Sequence, residues 1–247
     1  MYDTEYDKYV NHILKHGIEE IPRGEKTKSI KDANIVILPG ETIRRRKDNP
    51  LIGFMEGLQF VAGIFNKSEL ARVAPNANLD LFGPTSSYGL RVGEQVSWII
   101  DELKEDKYSR RAVLVLADDK EHLRERPCTT SMQFYTRNGI VLYTTVTMRS
   151  SDAIWGLPYD FVQFGMMAKV IANCLDCATG TMVINIANGH IYESTKHLAK
   201  DFEEWGFTIP EFYTLPEYEK WALELIPKLD AKMLETEFNF KLLEKSY

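Results

Sequence analysis

Between Phe161 and Leu175 the apolar residues Phe161, Val162, Phe164, Met166, Met167, Val170, Ile171 and Leu175 cover most of a helix circumference. A helix that is apolar all round has to be enclosed on every side, so the chain must build a layer around it. The preceding runs supply that layer: Ala112–Ala117, Ser131–Thr136 and Val141–Met148 are short stretches of β-branched and aromatic residues, the composition of strands. Arg137-Asn138-Gly139 between the last two is a hairpin signal, which makes the three a meander. Ala33–Leu38 and Thr181–Ile186 read as further strands, the first preceded by a loop, Ile21 to Lys28. Over residues 2–16 Tyr6, Tyr9, Val10, Ile13 and Leu14 form a helical stripe that ends at Gly17, read as a C-cap. Asn49-Pro50 opens an apolar helix from Leu51 to Val61 with Glu56 in its middle, a carboxylate that needs a reason to be there. The C-terminal part reads mainly as helix, with Trp221, Leu223, Leu225 and Ile226 packing and Pro210, Pro216 and Pro227 as breaks. The expected class is α+β: a mixed β-sheet packed by helices, with a long buried central helix.

The 247 residues show no internal repeat and no Gly/Ser-rich linker, so a single domain over 1–247 is expected. With 30 Lys+Arg against 36 Asp+Glu the formal charge is −6, the wrong sign for a protein that grips a nucleic acid polymer. Residues Met1 to Asp7 contain no basic region followed by an apolar stretch, and no run approaches the ~18 apolar residues of a membrane span. A cytoplasmic protein without membrane contact is expected. Three cysteines, Cys128, Cys174 and Cys177, fit reduced thiols better than a disulfide framework.

Cys128 stands in Arg126-Pro127-Cys128-Thr129-Thr130, where a partly exposed thiol beside Arg126 would have its pKa lowered by the cation. The alternative is a packed core cysteine. Ser109-Arg110-Arg111 precedes a strand, and Met148-Arg149-Ser150-Ser151-Asp152 runs into Gly156-Leu157-Pro158-Tyr159-Asp160. Arginines with a nearby hydroxyl suit bidentate phosphate recognition, although each taken alone reads better as a solvated surface charge. His190 and Tyr192 in Asn188-Gly189-His190-Ile191-Tyr192 fall on one side of an extended segment, as two hydroxyl contacts or as two half-buried aromatics. Cys174-Leu175-Asp176-Cys177 has redox or zinc spacing but lies at the end of the buried helix with no second pair, so packing is the better reading and no metal is expected. The run Arg44-Arg45-Arg46-Lys47 reads as a solvated face, and His12, His16, His122 and His197 are scattered.

Taken together the series resembles the thymidylate synthase family over about residues 20 to 200: the Arg23 loop, Glu56, Tyr88-Gly89, Ser109-Arg110-Arg111, Pro127-Cys128 with Gln133-Phe134, Arg149-Ser150 with Asp152, Gly156 with Pro158, and His190-Ile191-Tyr192. The resemblance implies that family's fold and a homodimer joined through a sheet face. It also implies a pyrimidine nucleoside monophosphate held by Arg23, Arg149 and Ser150, with Arg110 and Arg111 reaching across from the partner subunit and His190 and Tyr192 on the sugar. By the same resemblance Cys128 adds to carbon 6 of the pyrimidine, Glu56 organises proton transfer, Tyr88 helps remove the carbon 5 proton and Gln133 belongs to the substrate site. Asp152 is associated with the co-substrate 5,10-methylenetetrahydrofolate.

Asp160 departs from the family, which carries Asn after Pro158-Tyr159. A carboxylate only accepts, so it repels oxygen 4 of uracil but accepts from the 4-amino group of cytosine and from a protonated nitrogen 3. That is the pattern of the cytidylate hydroxymethylase branch, acting on dCMP or CMP; the competing reading makes Asp160 a cap of the Phe161–Leu175 helix. The tryptophan pair usual between Glu56 and Tyr88 is also missing, which leaves a less shielded site and favours capture of the one-carbon unit by water. Thr129 replaces the histidine that commonly follows the nucleophile, Asn188 replaces an aspartate, and Glu244-Lys245-Ser246-Tyr247 does not resemble the family's apolar tail. The reading is a cytidylate 5-hydroxymethylase, with cytidylate methylation or thymidylate synthesis as alternatives. A nucleotide-binding relative without turnover is disfavoured because Cys128, Glu56, Tyr88 and Asp152 all remain.

Overall fold

Asn138 and Gly139 both lie in the left-handed region, with φ of 60° and 70°, the conformation the central residues of a type I′ turn need; with Ile140 they link Arg137 to its partner Val141. In the computed structural model, which describes residues 4–39, 43–44, 50–77, 83, 87–117, 126–200, 204–205 and 209–231, this turn joins two strands at the centre of a mixed sheet. The chain runs α1 (Glu5–His16), β1 (Ile18–Glu20), β2 (Thr27–Ile37), β3 (Ile43–Arg44), α2 (Pro50–Val61), α3 (Lys67–Val73), α4 (Gln95–Glu105), β4 (Val113–Val115), β5 (Thr129–Arg137), β6 (Val141–Met148), β7 (Ser151–Asp152), α5 (Leu157–Cys174), β8 (Ala178–Tyr192), β9 (Glu204–Trp205) and α6 (Leu215–Leu225). The main sheet has the order β1-β2-β8-β6-β5-β4 with β7 beside β8, and β3 pairs β9 separately. The expected meander is β4-β5-β6, antiparallel throughout. β8 then returns parallel to β6 and β7, because the crossover through α5 reverses the chain direction.

The central helix is as enclosed as its sequence requires: Phe164, Val170, Ile171 and Ala172 are 0% exposed. α2 packs along it and contributes Phe54, Met55, Leu58 and Phe60, also 0% exposed, each burial contributing roughly 1.5–3 kcal/mol. The opposite face of the sheet is different. Val36, Val183, Tyr143, Thr145, Thr147, Gln133 and Tyr135 alternate outward and remain at least partly accessible, Tyr135 and Tyr143 stack at 5.3 Å, and Asn34 bonds Asn185 across β2 and β8.

Several boundaries differ from the sequence reading. α5 begins at Leu157 with Gly156 at its N-cap, four positions before Phe161, because Pro158 is comfortable in a first turn where no N–H partner is needed. Asp160 is therefore inside the helix and does not cap it. Gly17 does cap α1, its N–H donating to Ile13 O at 2.8 Å, but in extended conformation, φ −60° and ψ 140°, rather than left-handed. β2 already includes Thr27 and Lys28, taken as loop, and pairs them with Tyr192 and Ile191, extending β8 well beyond Ile186. Leu223 is 50% exposed and does not pack. Pro216 lies in the first turn of α6 and so opens that helix rather than breaking it, whereas Pro227 stands in the 3-10 turn Ile226–Lys228 that follows the end of α6 at Leu225. Arg45 to Lys47, His122 and Glu244 to Tyr247 lie outside the described residues.

Candidate active site

The short connection from Pro127 to Thr129 presents two neighbouring side chains to opposite environments: Cys128 is exposed and Thr129 is 0% exposed. Successive residues of an extended segment point to opposite sides; the irregularity in the β5–β6 register between Thr129 and Ser131 then shifts that alternation, so the buried positions pass from Thr129 to Met132 and Phe134. Arg149 fastens the connection. Its backbone N–H donates to Cys128 O at 2.9 Å, Nε donates to Pro127 O at 3.0 Å and Nη2 to Arg126 O at 2.8 Å.

The thiol lies in a recess that is open to solvent yet closely walled. Burial pushes the Cys128 pKa up, as does the Asp160 carboxylate, against the pull of the Arg149 and Arg23 guanidinium groups. This corrects the expectation of a thiol depressed by Arg126: the nearby cations are Arg149 and Arg23, and desolvation of the thiolate outweighs them. Arg23 reaches the recess from a turn in which it adopts φ 54° and ψ 27°, left-handed backbone that costs a non-glycine residue ~1–2 kcal/mol. There it lies within hydrogen-bonding reach of Tyr192. His190 and Tyr192 meet edge to face at 5.0 Å, and Ser150 Oγ is 3.4 Å from His190 Nδ1. Burial lowers the His190 pKa, partly opposed by Asp152. Asp152 pairs with His190 across β7 and β8, and its Oδ1 accepts from Ile154 N at 2.8 Å and Trp155 N at 3.3 Å.

Behind the thiol is a buried polar group. Tyr88, 5% exposed, donates to Asp160 Oδ1 at 2.9 Å and meets Thr129 Oγ1 at 2.7 Å. Gly89 allows this seating, because a Cβ there would stand 2.0 Å from Ile64 O and 2.7 Å from Gln59 O. Burial raises Tyr88 well above its ordinary pKa, and the Asp160 charge adds to the effect. Burial also lifts Asp160 to about 7, with the Tyr88 hydrogen bond opposing and the Asp152 charge reinforcing. Glu56 keeps a partly accessible edge, but its surroundings on α2 and α5 push it up to about 8 by desolvation first and the Asp160 charge second. Gln163 Nε2 donates to Glu56 Oε2 at 3.4 Å. These carboxyls bind more protons folded than unfolded, so stability falls as pH rises from 4.5 to about 8 for Glu56. Glu56→Gln removes that loss. Its melting temperature is expected to gain on the wild type above about pH 8 and not below about pH 4.5; thermal scans showing a pH-independent difference would contradict the raised carboxyl.

Eleven of the residues singled out in the sequence therefore fall into place around one recess or its walls, or on the same strands, as follows. Arg23, Cys128, Arg149, Ser150, Asp152, His190 and Tyr192 surround the opening, and Glu56, Tyr88 and Asp160 lie behind the thiol. The eleventh, Gln133, is on the outer sheet face, where its Nε2 donates to Arg110 O at 3.0 Å. Arg111 is at the sheet edge, paired with Glu102 through Nε at 2.9 Å and Nη2 at 2.8 Å, so it does not join the recess of its own chain. Sequence reasoning missed Gln163 and Glu102 and named Thr129 only as a replacement. Gln163 carries a readable signal, a polar residue three positions after Asp160 on a mostly apolar helix. Cys174 and Cys177 are buried, and Cys177 Sγ contacts Gly139 O at 3.3 Å, a packing role. Among the described residues there is no cluster of three His, Cys, Asp or Glu able to hold a metal, and no helix is long and apolar enough to cross a membrane.

A family model described as thymidylate synthase matches residues 81–211, which contain every residue of this group except Arg23 and Glu56. The thymidylate synthase of Bacillus subtilis subsp. natto is 28% identical over 155 residues, 61% of this chain and 54% of that protein. That of Bacillus phage phi3T is 30% identical over 129 residues, 50% of this chain and 45% of that protein, and that of Bacillus licheniformis is 32% identical over 107 residues, 42% and 37% of the respective lengths. The aligned part of the chain spans about half the length of the first of these relatives.

Proposed function

Because this chain belongs to the thymidylate synthase family, we propose that it moves a one-carbon unit onto carbon 5 of a cytidine monophosphate, dCMP or CMP, with water completing a 5-hydroxymethyl product. The observation that carries this reading is Asp160. It stands where the family has Asn, and its side chain is bonded to Tyr88 beside the nucleophile, so it is engaged in the site rather than in ending a helix. An ionised carboxylate there accepts from the 4-amino group and from a proton on nitrogen 3 of cytosine, and repels oxygen 4 of uracil.

The chain's own residues divide the work. Arg23, Arg149 and Ser150 receive the 5′-phosphate, and His190 and Tyr192 line the sugar. Nucleotide binding brings the pyrimidine over Cys128, whose thiolate adds to carbon 6 and shifts the double-bond electrons to carbon 5, making it nucleophilic. Glu56, protonated at neutral pH, can hold or release a proton behind the base. Methylenetetrahydrofolate, when bound, supplies the carbon at the oxidation level of formaldehyde, so capture by water needs no oxidant or reductant. The residues at the rim fit a pterin: the turn from Asp152 to Trp155 fixes a carboxylate beside an indole that is 40% exposed, an acceptor and a stacking surface side by side.

A second copy of the chain would cover the outer sheet face, which between β2 and β4 presents Val, Tyr, Thr, Asn and Gln. Arg110 and Arg111 flank that face, Arg110 through its carbonyl on Gln133, and would complete the phosphate site of the partner subunit.

The test is to incubate the protein with methylenetetrahydrofolate and, separately, dCMP, CMP, dUMP and UMP, and weigh the products. A hydroxymethyl product from a cytidylate is expected. A methyl product, or turnover of dUMP, would replace this reading with methylation inside the same family.

A further inference from the structure

Tyr88 and Asp160 are close enough to share more than a specificity contact. The two hydroxyls of Thr129 and Tyr88 carry two protons between them, and the order in which these are used follows from counting. An ionised Asp160 cannot donate, so the Tyr88 proton points to Oδ1, 2.9 Å away. The Thr129 hydroxyl, 2.7 Å from Tyr88 Oη and fully buried, must then supply the hydrogen between those two oxygens. This aligns a one-way chain from Thr129 through Tyr88 to Asp160. Tyr88 Oη keeps one lone pair, and Cys128 lies close enough for its charge to bear on that hydroxyl.

We infer that Asp160, besides reading the base, is the final acceptor of the carbon 5 proton, which reaches it through Tyr88, and that Thr129 is the positioning residue that aligns the tyrosine for this hand-over. The inference rests on Asp160 and Cys128 facing the same pyrimidine, as proposed above. In the step, the carbon 5–hydrogen bond breaks and that proton goes to Tyr88 Oη while the proton already on Tyr88 moves to Asp160 Oδ1. Tyr88 is never a free tyrosinate, which its buried position would make costly. An asparagine at position 160 could not take a proton, so replacing the family's Asn by Asp changes the route of the proton as well as the identity of the base.

The hand-over can be watched without any one-carbon donor. Once Cys128 has added to carbon 6, water protonates carbon 5 from the open face and the original hydrogen leaves on the Tyr88 side. The electron pair of the broken carbon 5–hydrogen bond re-forms the carbon 5–carbon 6 double bond, the carbon 6–sulfur bond breaks, and Cys128 leaves as thiolate. Nucleotides deuterated at carbon 5 therefore lose their label to solvent, and mass spectrometry reads the loss.

The wild type is expected to wash the label out of its preferred cytidylate. Tyr88→Phe should slow this by ~100-fold or more, the range of a lost general base. Thr129→Val should slow it roughly tenfold with nucleotide affinity within about threefold of the wild type, and Thr129→Ser should restore it, because only the hydroxyl is at stake. Washout by Tyr88→Phe at the wild-type rate, or an equal effect of Thr129→Val and Thr129→Ser, overturns the hand-over. So does washout from deuterated dUMP by Asp160→Asn as fast as the wild type achieves on its own substrate, and so does the absence of washout from all four nucleotides with the wild type. If the wild type instead exchanges only the uridylates, the cytidylate reading fails, and the Tyr88 and Thr129 variants still decide the proton route on those substrates.

Discussion

Cys128→Ser is expected to abolish turnover, by at least about 10⁴-fold, while nucleotide affinity stays within a few-fold of the wild type. The size follows from the chemistry. A serine hydroxyl in the same recess has a pKa several units above that of a thiol and cannot supply a comparable nucleophile at neutral pH. Burial and Asp160 push the thiol's pKa up, and the cations Arg149 and Arg23 provide the counter-pull. Mass spectrometry of the nucleotide products and equilibrium binding separate chemistry from recognition. Turnover surviving within tenfold in the serine variant would rule out covalent addition. The same variant also tests the proposal that two copies of the chain share each site. Mixed and re-equilibrated with an Arg110→Ala variant, it should recover about a quarter of wild-type activity, since only one of the two sites in each mixed dimer is whole; no recovery would confine each site to one chain.

Asp160→Asn is expected to invert the nucleotide preference, changing the ratio of uridylate to cytidylate affinity by roughly 10²–10³-fold. The carboxamide can keep its oxygen against the Tyr88 hydroxyl, where Oδ1 now accepts at 2.9 Å. Its nitrogen then points outward as a donor toward oxygen 4 of uracil, while the amino group of cytosine meets that donor and is left without an acceptor. The variant should also lose the upward pull that Asp160 exerts on Glu56 and Cys128, so its preference is best measured as binding, before any change in rate. Titration of dCMP, CMP, dUMP and UMP against wild type and variant gives the answer directly. An unchanged order of affinities would sink the role of Asp160 in reading the base.

Much of the fold was legible because its signals are local. Asn138-Gly139 prescribes its own turn by tolerating left-handed backbone, and the all-round apolar pattern of α5 prescribes burial wherever the helix goes. The ordered series from Arg23 to Tyr192 identified the candidate site for a different reason: many weak matches in one order leave few alternatives. The strand ends were less legible. β2 and β8 run past their apolar stretches because each supplies the other's hydrogen bonds from Thr27 and Tyr192 inward, and pairing of distant strands leaves no mark in the sequence of either.

The chain of residues alone determined the α+β class, the hairpin, the buried central helix and most of the groups that the structure gathers around Cys128. Only the tertiary structure decided the surroundings of three residues. Asp160 changed from a possible helix cap to a partner of Tyr88, 72 positions away. Thr129 became buried and hydrogen-bonded to the same tyrosine, 41 positions away. Glu56 became a carboxyl protonated near neutral pH. Secondary structure follows from backbone conformations and side-chain periods that a short segment carries within itself. A proton's affinity and a hydroxyl's direction depend on what excludes water and which charges face the group, and those neighbours are set only when distant parts of the chain pack together.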